Sequence, residues 1–301
     1  MKNILILFIC IFINFNIFAI ESIYETEFHH ISITNDLISD SKLKEIENIK
    51  QVSLKKILKN ILNENNYNKA NRLINYNSQV NYLIKNIIIE DEFISNNKNI
   101  AKIKINFEKK EIINLLRNMK LNYSDLISNK ILIIAVQNNK ILKEGLSQNN
   151  EFYHKFNFNK YGLINLVYPE LSNNDRYLSP FDKIIDKDVI AINKLSKKYL
   201  VKYIFIINIE KINFVNNLDI YIYTSNDNRI KEIGKLKLKE KYELDLVNFL
   251  NNWWKEKNII DNSLINKDDC YLINSNIYEL NYINSSINTI SQIKSNELIR
   301  I

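Results

Sequence analysis

Ile131-Leu132-Ile133-Ile134-Ala135-Val136 is an unbroken run of six apolar residues. It has the length of a strand, and a strand with no polar residue has no wet face. Both of its sides must be covered. Residues 163–168 form a second run, apolar but for Asn165 and ended by Pro169, which cannot donate to a ladder. Residues 203–209, 218–224 and 230–238 read as three further strands. Turns at Val215-Asn216-Asn217 and Ser225-Asn226-Asp227-Asn228 join them. Residues 186–198 read as a helix with Val189, Ile190, Ile192 and Leu195 inward, and residues 244–257 as another. The stretch 172–181, which contains Pro180, reads as a loop. Residues 126–258 are thus expected to form a mixed α/β domain with an antiparallel meander.

Upstream, residues 25–33 alternate as a strand does. Leu43, Ile46, Ile49, Val52, Leu54, Ile57, Leu58 and Ile61 then recur at three- and four-residue steps, the stripe of an amphipathic helix. One or two short helices are expected over 68–83. Strands follow over 87–94 and 100–107, the second alternating Ala101, Ile103, Ile105 and Phe107 against Lys102, Lys104 and Asn106. A helix over 111–119 closes an N-terminal β-α-β-β-α unit in residues 20–125. Residues 259–301 read as a small strand-helix-strand (β-α-β) piece that must pack on something else. The class is α+β.

Met1-Lys2-Asn3, the apolar stretch 4–18 and Ala19 follow the order of a secretory signal, so residues 1–19 are expected to be cleaved. The stretch is shorter than a spanning helix needs, which weighs against an uncleaved anchor. Export, to the periplasm of a Gram-negative bacterium, is the expected address. Cys10 would leave with the signal, and Cys270 would be the one remaining thiol. Its plain reading is a buried small residue; the sharper alternative is an intermolecular bridge.

The net charge of +7 invites a nucleic-acid reading, but the charge is mostly scattered Lys. Arg, which makes bidentate phosphate and base contacts, occurs only at Arg72, Arg117, Arg176, Arg229 and Arg300. The excess of Ile, Asn and Lys has the look of an AT-rich genome. No nucleic-acid partner is expected.

The order of elements, with Glu90-Asp91-Glu92-Phe93-Ile94-Ser95, Ile103-Lys104-Ile105-Asn106-Phe107, the run Ile131 to Val136, Leu163-Ile164-Asn165-Leu166-Val167-Tyr168-Pro169-Glu170-Leu171, Asp186 and Asp188, and Leu195-Ser196-Lys197-Lys198-Tyr199, resembles a family of exported bacterial proteins. That family is catalogued as domain of unknown function number two thousand and sixty-six. The resemblance covers most of the chain after residue 19. It implies an envelope protein and carries over no catalytic residue.

The residues that could do chemistry are few. His29 and His30 are adjacent on a strand and point to opposite faces, and nothing in the spacing brings His154 to either. No metal and no cofactor are expected. Three glycines in 301 residues make neither a phosphate loop nor a nucleophile elbow. Cys270 follows Asp268 and Asp269, whose charges suppress a thiolate. Two acidic sets, Glu90-Asp91-Glu92 and Asp182, Asp186 and Asp188, leave open a periplasmic hydrolase that uses an acid pair, with Glu170 as the partner to look for. Trp253 and Trp254, about 100° apart on a helix, are the candidate binding residues. With Lys255 and Lys257 they would suit a peripheral membrane-surface contact.

The favoured reading is a non-catalytic binding or assembly module whose partner is another envelope protein. Such a module should show an open strand edge or an apolar surface patch.

Overall fold

The computed structural model of the protein describes residues 23–33, 38–74, 76–95, 98–139, 143–156, 160–212, 215–239, 242–263, 270, 276–290 and 292–294. The signal expected at residues 1–19 lies outside these, as do the two strands expected in the C-terminal piece. Cys270 is described, and it is exposed rather than buried. No described helix is long and apolar enough to cross a membrane.

The chain is an α+β protein. Its first part runs β1 (His29–Ile33), α1 (Ile38–Ile61), α2 (Glu64–Leu73), α3 (Tyr76–Leu83), β2 (Ile84–Ser95), β3 (Lys98–Phe107) and α4 (Lys109–Asn118). The strands form one antiparallel sheet in the order β1-β3-β2. Ala101, Ile103, Ile105 and Phe107 of β3 are buried, as the alternation predicts. They meet Leu54, Ile57, Leu58 and Ile61 of α1, Val80 of α3 and Leu116 of α4. Leu43 and Val52 of the expected α1 stripe are exposed. The buried face passes instead through Ser53, whose hydroxyl lies 3.3 Å from His29 Nε2.

The second part runs β4 (Lys130–Asn138), β5 (Lys143–Glu144), α5 (Glu151–Lys155), β6 (Lys160–Tyr161), β7 (Ile164–Val167), α6 (Asn173–Leu178), α7 (Phe181–Ile185), α8 (Val189–Tyr199), β8 (Tyr203–Ile212), β9 (Val215–Thr224), β10 (Arg229–Leu238) and α9 (Glu243–Lys257). Its sheet has the order β10-β9-β8-β4-β7-β6, with β5 also paired to β4. β4 is parallel to β7 and β8, while β8, β9 and β10 form the antiparallel meander. The run Ile131 to Val136 is fully buried. Its odd-numbered residues face Leu246, Leu250 and Trp254 of α9. Its even-numbered residues face Ile184 of α7 and Ile192 and Leu195 of α8.

Three expectations change. The stretch read as a loop contains α6, because Ser172 and Asp175 form a capping box that starts a helix before Pro180. On α8, Ile190 is 70% exposed, while Ala191 and Ser196 are buried beside Ile192 and Leu195. The Asp188 side chain accepts from the backbone N–H groups of Ile190 and Ala191, which fixes that rotation. Finally, α5 forms where the sequence pattern predicts no helix; Asn150 caps it. In the C-terminal piece, α10 (Ile277–Thr289) is described, with its own capping box from Asn276 and Glu279.

The two parts meet along a seam. Tyr123 and Ile260 form a β-bridge, and Asn262 Nδ2 donates to the carbonyl of Leu121. The indole N–H of Trp254 donates to the carbonyl of Leu126 at 2.7 Å.

Candidate functional site

The most exposed apolar feature on a sheet is the outer edge of β2. Hydrogen bonds made by β3 show which groups lie there. The N–H of Phe107 donates to the carbonyl of Tyr24, and Thr26 N–H donates to the carbonyl of Ile105. Ile105 N–H donates to the hydroxyl of Thr26. Ile105 and Phe107 therefore spend their backbone groups on the β1 side. Strand alternation then aims Lys102, Lys104 and Asn106 at β2, where they oppose Glu90, Ile88 and Asn86. It follows that the N–H and C=O groups of Ile87 and Ile89 point away from the sheet.

The side chains add to this. Ile87 and Ile89 oppose Ile105 and Ile103, so they extend the sheet's core-side face. Both remain open, at 36% and 41% exposure. Phe93 and Ile94 further along are 59% and 66% exposed. Irregularities between Ile84 and Asn86 and between Glu90 and Phe93 bound the regular stretch, and Asp91 at the second has φ +51°. Asp91 pairs with Lys102 at 2.6 Å, and Glu92 pairs with Lys42. These bonds hold both carboxyls below their ordinary range.

The other sheet edges are protected. β1 is five residues long and lies against α1. β6 has two residues. β10 carries Lys231, Lys235 and Lys237 with an irregularity between Glu232 and Gly234, features that discourage strand addition.

The residues singled out from the sequence are placed as follows. Trp254 is 6% exposed and packs in the core of the second part with Leu246 and Leu250. Lys255, expected at a surface rim, is also buried: its ammonium donates to the carbonyls of Lys59 and Leu62. Trp253 is half-buried, edge-on to Phe205, with the Lys257 ammonium 5.0 Å from its ring centre. It lines an open groove of about 430 Å3 with Ile222, Arg229, Lys231, Glu256 and Lys257. Glu170 and Asp188 stand in separate ion pairs, with Lys198 and Lys183, each at 2.8 Å. Asp175, which the sequence did not single out, has a fully buried side chain held by Lys198, the Tyr199 hydroxyl and Ser172. His154 Nε2 lies 2.6 Å from the carbonyl of Gln148. Among the described residues no three His, Cys, Asp or Glu side chains gather as a metal-binding group.

No family model matches the chain. In sequence it is similar to a DNA polymerase III PolC-type of Ureaplasma parvum serovar 3, at 32% identity over 183 residues. That match takes in 50% of this chain and only 12% of the polymerase. Among solved structures it is similar to the LpoB C-terminal domain from Salmonella enterica, at 8% identity and a TM-score of 0.26. The match covers 44% of this chain and 95% of that one, and its score is too low to support a shared fold.

Proposed function

We propose that this protein is a non-catalytic binding and assembly module of the bacterial envelope, and that it takes a partner strand onto the edge of β2 that no described strand covers. One observation carries the reading. β2 offers the outward backbone groups of Ile87 and Ile89 beside exposed aliphatic side chains, while the other sheet edges are short, covered or lysine-rich. Strand addition uses these two elements: main-chain hydrogen bonds for affinity and alternate side chains for specificity. The envelope address rests on the signal-like residues 1–19 and on the resemblance to the exported family. An acid-pair hydrolase is less well supported, since Glu170 and Asp188 are each engaged by a lysine. A membrane contact through Trp254 is less well supported too, since that indole is buried and its N–H is spent on the carbonyl of Leu126.

The test is site-specific photo-crosslinking in cells. A benzophenone side chain at position 87 or 89 should give a discrete adduct. The same group at Asn226, in the exposed β9–β10 turn, should not. Ile89→Pro should abolish the adduct formed from position 87. That proline removes an outward N–H and leaves the β2–β3 ladder intact. Adducts of equal yield at 87, 89 and 226, or none at 87 and 89, would overturn the reading.

A further inference from the structure

We infer that the strand taken up by β2 is β2 of a second copy of this chain, paired antiparallel about a two-fold axis through Ile88. This rests on the reading of β2 as a docking edge and names the occupant.

The argument is one of charge and parity. From Lys85 to Asp91 the strand reads cation, Asn, Ile, Ile, Ile, acid, acid. Laid against itself antiparallel with Ile88 on the axis, Lys85 comes opposite Asp91, Asn86 opposite Glu90, and Ile87 opposite Ile89. Opposite charges facing across a strand pair stabilise it, and like charges destabilise it. A parallel arrangement would set lysine by lysine and acid by acid.

Parity then selects the register. Hydrogen bonds form only where an outward-facing residue meets an outward-facing residue, and on the regular stretch of β2 these are Ile87 and Ile89. Moving the axis to Ile87 sets Ile89 against Lys85. Moving it to Ile89 sets Ile87 against Asp91. Of these three registers only the one centred on Ile88 matches aliphatic with aliphatic and cation with acid. In it Ile87 and Ile89 exchange both backbone bonds with Ile89 and Ile87 of the second copy, four bonds in all by this geometry. The irregularities at Lys85 and at Asp91–Glu92 confine the ladder to residues 86–90, and the Lys85 and Asp91 side chains would meet just beyond its ends. Lys85 of the second copy would join the existing Asp91–Lys102 pair. The product is one continuous sheet in the order β1-β3-β2-β2-β3-β1. Such a contact is isologous, the common form of a closed dimer.

Disulfide mapping reads the register directly. The two Ile88 residues would be a non-hydrogen-bonded pair, with Cα atoms about 4.5 Å apart, which suits a disulfide. The chain is produced from its full gene with Cys10→Ser and Cys270→Ser. Ile88→Cys should then form a covalent dimer under mild oxidation at least ten times faster than Asn226→Cys. Ile87→Cys and Ile89→Cys should each dimerise poorly alone and cross-link efficiently when mixed. Sedimentation equilibrium of the chain without the Ile88→Cys change should show a concentration-dependent dimer, and Ile89→Pro should be a monomer. Equal cross-linking rates at 88 and 226, or a monomer at every concentration, would overturn the second-copy assignment. If photo-crosslinking at 87 and 89 then still gave a discrete adduct with a different protein, the docking edge would stand without this occupant. If it gave none, both would fall.

Discussion

The ammonium of Lys255 lies 2.9 Å from the carbonyl oxygen of Leu62, so a cation on the last turn of α9 closes the C-terminal end of α1 in the other part of the molecule. A second bond, 2.7 Å to the carbonyl of Lys59, completes the cap. Four carbonyls at a helix end lack intrahelical donors, and the negative end of the helix dipole favours a cation there.

Burial nevertheless pushes the Lys255 pKa down to about 8, with the charge of Lys59 adding to the shift. The unfolded chain, with an ordinary lysine pKa near 10.4, therefore holds more protons between these two values. Stability must rise with pH wherever the unfolded state binds more protons. The cost of burying the cation is present in full below about pH 8. It is relieved toward the ordinary lysine pKa, and the neutral amine still donates to both carbonyls. Urea unfolding should show the native chain gaining on Lys255→Met by up to about 3 kcal/mol from pH 8 to 10.5. A constant difference between the two proteins across that range would contradict this.

How far the sequence reveals this arrangement differs from place to place. Ile131 to Val136 announces a strand covered on both faces because every side chain is apolar. The alternation of Ala101 to Phe107 announces a strand with one wet face. Patterns of hydrophobicity say less where small or polar residues are buried. Ala191 and Ser196 share the inner face of α8 with Ile192 and Leu195, and no apolar stripe marks those two. Ser172 and Asp175 start a helix by side-chain capping, a signal masked by the nearby Pro180. Lys255 reads as surface because its partners, the carbonyls of Lys59 and Leu62, are nearly 200 residues away in the chain. The candidate site is the least legible feature. Ile87-Ile88-Ile89 reads as strand, but nothing local says that β2 sits at an edge. That depends on β3 pairing with β1 on its other side.

Asp175 and Lys198 make a second testable pair. The Asp175 side chain has no exposed surface, and Lys198 reaches it at 2.8 Å. Burial alone would raise this carboxyl, but hydrogen bonds from Lys198, the Ser172 backbone and the Tyr199 hydroxyl outweigh it and hold the pKa below its usual value. Removing only the lysine leaves a buried charge without its counter-ion, a loss of roughly 3–5 kcal/mol. Lys198→Met should therefore lower the midpoint of thermal unfolding far more than Asp175→Asn combined with Lys198→Met, in which the neutral amide oxygen can still accept from Ser172. The native chain should also lose stability as pH falls through the folded-state pKa of Asp175, the sign for a depressed carboxyl. Equal damage from the single and double variants would argue against an ionic lock.

Trp254 offers a smaller, cleaner loss. Its indole N–H serves the carbonyl of Leu126 in the seam, and the ring packs near Tyr203 at 5.8 Å between centres. Trp254→Phe keeps most of the apolar contact and strands the carbonyl, so a cost of about 1–3 kcal/mol is expected. Trp253→Phe has no such carbonyl to strand and should cost less, by comparison of urea midpoints. The reverse order would mean that the seam does not depend on this bond.

Two of the three glycines lie against α9 and should respond differently to alanine. At Gly162, φ is +57°, and an added Cβ would stand 2.6 Å from Nδ2 of Asn251. Asn251 is itself committed, since its Oδ1 accepts from the N–H of Leu163 at 2.9 Å. Gly162→Ala thus combines a left-handed backbone with a clash against a fixed side chain, and should cost about 2–4 kcal/mol. Trimming the neighbour repairs only the clash, because Asn251→Ala leaves the backbone strain and takes away the acceptor. At Gly234 the obstacle is Phe249 Cζ, 2.4 Å from an added Cβ, and no positive φ is involved. Gly234→Ala should cost about 1–3 kcal/mol by overpacking, and Phe249→Leu should restore part of it. The measurement is the coupling energy in two double-mutant cycles. Favourable coupling is expected at both pairs, but Gly162→Ala should still cost about 1–2 kcal/mol in the Asn251→Ala background, because the left-handed backbone remains. No cost of Gly162→Ala in the Asn251→Ala background would mean that space, and not backbone conformation, is what Gly162 provides.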